Sequence, residues 1–104
     1  MKSVFANRKK RSREEIIASI LFTAKTGVSK TAIMYANYLS FSQLNKYIAF
    51  GLKAKVMYIN DDGKYFTTAK GLEYLKTFEQ VHNIENDALE KRRTLNEILS
   101  SEQT

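Results

Sequence analysis

Apolar positions along this chain keep a helical period, drop it for one short stretch, and then resume it. Ile16, Ile17, Ile20, Leu21 and Ala24 recur at the 3.6-residue spacing of a helix with one buried face. Ser12 followed three places later by Glu15 is a capping box that opens this helix, and Gly27 suits the residue just past its end. Ser29 caps a second, short helix that turns Ile33, Met34 and Ala36 inward and ends near Asn37 and Tyr38. Ser40 caps a third, with Phe41, Leu44, Ile48 and Leu52 as its buried face and Gly51 as its stop. Three short helices joined by tight turns read as a tri-helical helix-turn-helix unit.

The period then changes. Lys55 to Asn60 is rich in β-branched and aromatic residues, Asp62-Gly63 signals a turn, and Lys64 to Thr67 returns. One hairpin cannot stand alone, so it must pack on the helices. Thr68 caps a last helix that runs to about Leu99, because no proline occurs anywhere, and Gly71 within it marks close backbone packing. At ~1.5 Å per residue this helix spans nearly 50 Å, more than a small domain needs. Leu72, Leu75 and Phe78 cover the core; farther out, Val81, Ile84, Ala88, Leu95 and Ile98 keep a 3-4 spacing broken at Lys91. That outer stripe would face water in a lone chain, and a coiled coil with a second copy would cover it. The fold class expected is α+β, mainly α: a winged helix-turn-helix of three helices and a β-hairpin wing, with a long C-terminal dimerisation helix. Its parts are a basic flexible arm at 1–11, the winged helix-turn-helix domain at 12–67, the dimerisation helix at 68–99 and a tail at 100–104.

Composition narrows the chemistry. The 104 residues form one domain with a core large enough to fold, and 43% hydrophobic residues exclude a disordered chain. There is no cysteine and one histidine, His82, so disulfides and thiolate metal sites are excluded and no metal or other cofactor is expected. The run Ile16 to Phe22 follows basic residues as a signal peptide would, but it is short, helically spaced and abutted by Glu14 and Glu15, which makes it a core helix. No stretch reaches the ~20 apolar residues of a membrane span, so a soluble, cytoplasmic protein is expected, associated with the nucleoid and without membrane contact.

Charge changes the picture most. Between Ile16 and Asn60 there is no acid, only Lys25, Lys30, Lys46, Lys53 and Lys55. Residues 1–60 carry 11 basic and 2 acidic side chains, a net of +9, and residues 61–104 carry 6 and 9, a net of −3. A concentrated positive field favours a polyanion, since each phosphate neutralised releases condensed counterions.

The residues also carry a family resemblance. Ile33-Met34-Tyr35, then Leu39-Ser40, then Tyr47-Ile48 resemble the second and third helices of archaeal winged-helix DNA-binding proteins. Gly63-Lys64-Tyr65-Phe66-Thr67-Thr68-Ala69-Lys70-Gly71 resembles their wing strand and the Thr-x-Lys-Gly start of the last helix. Over about residues 12–99 the chain is similar to the small "ten-a" family of archaeal chromatin and regulatory proteins. That resemblance implies homodimers joined by an antiparallel coiled coil of the C-terminal helix. Here the arm is longer and more basic than the family's usual start, and Glu90-Lys91-Arg92-Arg93 interrupts the stripe.

In a winged helix the third helix enters the major groove. Burying Phe41, Leu44, Ile48 and Leu52 leaves Ser42, Gln43, Asn45, Lys46, Ala49 and Lys53 on the opposite face, where Gln43 and Asn45 can pair with adenine edges and Lys46 can reach guanine or phosphate. Tyr47 is expected in the core, with a phosphate contact through its hydroxyl as the alternative. Lys30 and Thr31 start the second helix and suit a phosphate, as does Lys64 beside the wing tip, although Asp61 and Asp62 hold that tip out of a groove. Arg8, Lys9, Lys10, Arg11 and Arg13 suit a minor groove or plain phosphate contact. Lys91-Arg92-Arg93 lies among Glu85, Asp87, Glu90 and Glu97 and reads as helical pairing on a solvated surface.

No nucleophile constellation or phosphate loop appears, and Asp61-Asp62 serve a turn, so no enzyme and no small-molecule ligand are expected. The function expected is binding of double-stranded DNA as a homodimer, sequence-independent or moderately specific, in transcriptional regulation. An architectural chromatin protein is the alternative, and a winged-helix protein-interaction module, prompted by Phe50, Tyr35, Tyr38 and Phe41, is the third.

Overall fold

A computed structural model of the chain describes residues 11–101; Arg8, Lys9 and Lys10 of the arm lie outside the described residues. The order is α1 (Arg13–Thr23), a 3₁₀ turn (Ala24–Thr26), α2 (Lys30–Ala36), α3 (Phe41–Lys53), β1 (Met57–Ile59), β2 (Tyr65–Thr67) and α4 (Ala69–Ser101). The winged helix-turn-helix architecture is the one expected, and α4 stretches the molecule to 66 Å along its longest axis.

α1 is the central helix. Ser12 and Glu15 form the reciprocal capping box, and six consecutive residues, Ile16 to Leu21, are buried. A helix that is apolar on nearly all sides belongs inside a core rather than on its edge. Ile33, Leu39, Leu44, Ile48, Val56, Met57 and Tyr65 close around it. Several expected core positions lie elsewhere. Phe41, Ala36 and Leu72 are exposed and Leu52 is half-buried. Phe41 is the first residue of α3, so its side chain precedes the turn that faces α1; Leu75 and Tyr74 perform the covering expected of Leu72.

Gly51 does not stop α3. It is buried within the helix, where a Cβ would lie 2.6 Å from the Met57 sulfur. The helix ends instead in a Schellman motif: the Val56 amide donates to the Gly51 carbonyl and the Lys55 amide to the Leu52 carbonyl, with Lys55 at φ +63°. α2 ends the same way, through Leu39 to Met34 and Tyr38 to Tyr35, with Tyr38 at φ +55°. Neither left-handed residue is glycine; α2 ends where expected, near Asn37 and Tyr38, while α3 runs past the stop expected at Gly51.

The strands are shorter than expected, three residues each, paired antiparallel as Met57↔Thr67, Tyr58↔Phe66 and Ile59↔Tyr65. Val28 adds an antiparallel bridge to Tyr65 from the loop before α2, a third segment at the hairpin that the sequence pattern does not indicate. The turn is ordered by Asn60, whose Oδ1 accepts the amides of Asp62 and Lys64, rather than by the two aspartates.

The Thr68-Ala69-Lys70-Gly71 segment joins the wing, the end of α3 and the start of α4. Thr68 Oγ1 accepts the Gly71 amide at 3.1 Å and donates to the Lys55 carbonyl at 2.7 Å. Lys70 Nζ donates to the Ala54 carbonyl at 2.9 Å, supplying one of the carbonyls that a helix end leaves unsatisfied. A Cβ on Gly71 would overlap the Val56 carbonyl oxygen and lie 2.6 Å from Thr67 Cγ2, so glycine permits the backbone contact expected there.

A buried polar cluster holds α2 to α1. Asn37 is buried; its Oδ1 accepts from Ser19 Oγ, and its Nδ2 donates to the Ile33 carbonyl at 2.8 Å and to Thr23 Oγ1 at 3.3 Å. Thr67 Oγ1 similarly ties β2 to the Leu21 carbonyl at 2.6 Å.

Candidate nucleic-acid interface

α3 presents Ser42, Gln43, Lys46 and Lys53 to solvent, while Asn45 is half-buried. Gln43 is less available than its exposure suggests. Its Oε1 accepts the Ser40 amide at 3.0 Å while its own amide donates to Ser40 Oγ, completing a second capping box. Bidentate pairing with adenine needs both the oxygen and the amino group of a glutamine, and the oxygen is committed to the cap. Lys46 is exposed, with Nζ 5.4 Å from the centre of the Tyr47 ring, which is half-buried against the core as expected.

Of the five basic residues taken together as an arm, the two within the described residues, Arg11 and Arg13, part company. Arg11 donates from Nη2 to the Asn37 carbonyl at 2.8 Å and so caps the end of α2; it is half-buried, which corrects its placement in a flexible arm. Arg13 belongs to the first turn of α1, and its guanidinium lies 4.5 Å from the centre of the Phe50 ring. That cation–π contact delivers a fixed charge to the flank of α3.

Lys30 and Thr31 begin α2 beside the Ser29 cap, and the Lys30 ammonium stands 5.8 Å from the centre of the Phe41 ring. Lys64, Asp61 and Asp62 are all exposed at the wing. Lys30 and Arg13 are thus held against α3 near its two ends, by Phe41 and Phe50, with Lys46 exposed between them, and the wing adds both signs.

α4 carries Val81, Ile84, Ala88, Leu95 and Ile98 exposed. Where α4 leaves α1, a groove of about 550 Å³ lies between Glu14, Glu15 and the residues Tyr74, Phe78 and Val81. Tyr74, Phe78 and His82 stack along it with ring centres 6.5 and 6.3 Å apart. The Tyr74 hydroxyl donates to the Glu14 carbonyl at 3.0 Å. Burial raises its pKa above 10, and the nearby Glu14 charge adds to the rise while Arg13 opposes it. Lys91 pairs with Asp87 at 3.9 Å on an exposed surface, as expected of that charge run. Among the described residues no group of histidine, aspartate and glutamate is placed to hold a metal ion, and no helix is long and apolar enough to cross a membrane.

A family model described as winged helix-turn-helix matches residues 10–86, well over half of the chain. The chain belongs to the winged helix-turn-helix family. Among solved structures it is similar to Sso10a-2, a DNA-binding protein from Sulfolobus solfataricus, with a TM-score of 0.74 and 22% identity over 86% of this chain and 97% of that one. At that identity the likeness is one of fold, and it is the fold implied by the resemblance to the archaeal ten-a proteins. No match is found among curated proteins.

Proposed function

We propose that this winged helix-turn-helix protein binds double-stranded DNA as a homodimer, with α3 in the major groove, and acts as a cytoplasmic, nucleoid-associated transcriptional regulator. The observation that carries the reading is the acid-free stretch from Ile16 to Asn60, folded so that Lys30, Lys46, Lys53 and Arg13 lie on or beside the helix-turn-helix. Lys46 meets the base edges or their phosphates, Lys30, Thr31 and Lys53 meet the backbone, and Lys64 flanks it. The second copy is supported by the exposed stripe on α4, where Ile84 is 69% exposed. The chemistry is binding rather than catalysis.

One observation favours the architectural alternative. With Gln43 engaged in its cap, Ser42, Asn45 and Lys46 are left for readout, which lowers the sequence discrimination the helix can deliver. Anisotropy titrations of random duplex and enriched genomic fragments across a salt series separate the two roles. A preference of ~10³ or more for particular fragments marks a regulator. Equal, steeply salt-dependent affinities mark an architectural protein, and no binding to either removes the DNA reading. Lys46→Ala should weaken duplex binding by roughly tenfold and reduce the salt slope by about one phosphate contact.

A further inference from the structure

Three large aromatic side chains flank the turn between α2 and α3 without entering the core. Tyr35 is 71% exposed, Tyr38 49% and Phe41 68%. Their positions lie within seven consecutive residues, at the corner where α2 turns into α3. Tyr38 occupies the left-handed position of the Schellman motif at φ +55°, where glycine would sit without strain and a bulky residue is an outlier. The corner is also positive. Lys30 stands over Phe41, the Arg11 guanidinium is fixed on the carbonyl of Asn37 next to Tyr38, and no acid occurs between Ile16 and Asn60.

Exposed rings set among fixed cations are the surface on which unpaired bases stack while phosphates are neutralised beside them. A duplex offers these rings little, because its bases already stack on one another. We propose that the α2–α3 corner, through Tyr35, Tyr38 and Phe41, is a stacking platform for unpaired bases, so that the protein also binds single-stranded nucleic acid. The inference shares with the duplex reading only the preference of this face for a polyanion.

The test uses the full chain and a labelled oligothymidylate, with an abasic phosphodiester of equal length as the probe for phosphate contact alone. Oligothymidylate should bind at least tenfold tighter than the abasic strand. It should also quench tyrosine emission, which is readable because the chain has six tyrosines and no tryptophan. Tyr38→Gly and Phe41→Ala should each weaken oligothymidylate binding about tenfold, in line with the loss of one stacked base, and change duplex affinity less than threefold. Tyr38→Gly relieves the left-handed strain, so its melting temperature should not fall and lost binding cannot be ascribed to misfolding. Equal affinities for the two single strands, or variants that leave oligothymidylate binding unchanged, overturn the platform. Duplex binding without oligothymidylate binding overturns it too and leaves the proposed function standing. Failure to bind any nucleic acid overturns both and assigns the corner to a protein partner.

Discussion

Asn37 has the burial of a core leucine and the chemistry of a cap. Its side chain satisfies the Ile33 carbonyl, pairs with Ser19 and reaches Thr23, while its own carbonyl holds Arg11. Truncation strands the buried Ser19 hydroxyl, which costs more unsatisfied than the bond contributes when made, and leaves the Ile33 carbonyl with only the Asn37 backbone amide. Asn37→Ala should therefore lower stability by about 2 kcal/mol and the melting temperature by roughly 10 °C, read by thermal denaturation. An unchanged transition would mean that the cluster is not closed in solution. Lys55 makes the opposite case. It is exposed, and its left-handed backbone costs a side-chain-bearing residue roughly 1–2 kcal/mol. Lys55→Gly should stabilise by about 1 kcal/mol after the extra unfolded-state entropy of glycine is subtracted.

At the scale of elements, the joints carry more of the architecture than the helices do. Four residues, Thr68 to Gly71, cap α4, hold the carbonyls at the end of α3 and allow backbone to meet backbone, which sets the direction in which α4 leaves the domain. The short motif shared with the ten-a proteins is thus a joint, and its residue types follow from that duty. α4 is also fastened to α1 by the Tyr74 hydroxyl on the Glu14 carbonyl. Burial raises the Tyr74 pKa above its unfolded value of about 10, so the neutral phenol is favoured in the folded state. The stabilisation is fully present below about pH 10 and is lost as pH rises through the higher folded value, because the unfolded chain gives up its proton first. Denaturant titrations of the wild type and Tyr74→Phe should show a steeper loss above pH 10 in the wild type. Parallel curves would exclude a contribution from this hydroxyl.

For the whole molecule, α4 is out of proportion to the domain it leaves. Its outer half has neither the core nor strong surface pairs to hold it: the Lys91–Asp87 pair is exposed, and such pairs contribute little. A single helix in water is marginal, so the outer half depends on burial against another surface. Ile84→Asp should halve the mass measured by sedimentation equilibrium and reduce helicity in far-ultraviolet circular dichroism. A mass equal to the wild type's would remove the coiled coil from the proposal. In the proposed dimer the positive face would be doubled, and the separation of the two faces would be set by α4 rather than by a linker.

The helices, the hairpin and the long final helix were legible because each rests on local rules. Ser12, Ser29 and Ser40 declare their helices by capping, apolar spacing gives the period, and the absence of acids from Ile16 to Asn60 is a matter of composition that folding cannot alter. The stop of α2 near Asn37 and Tyr38 was legible, but that of α3 was not, because Lys55 takes a left-handed backbone only under the demands of the packing around it. The Gln43 cap is local, a Ser-x-x-Gln box of the same kind as Ser12 and Glu15, but spacing could not show that Phe41 faces solvent or that Arg11 and Arg13 separate, one onto Asn37 and the other onto Phe50. Those outcomes depend on groups distant in sequence that share one small volume, and only the tertiary structure brings such groups together.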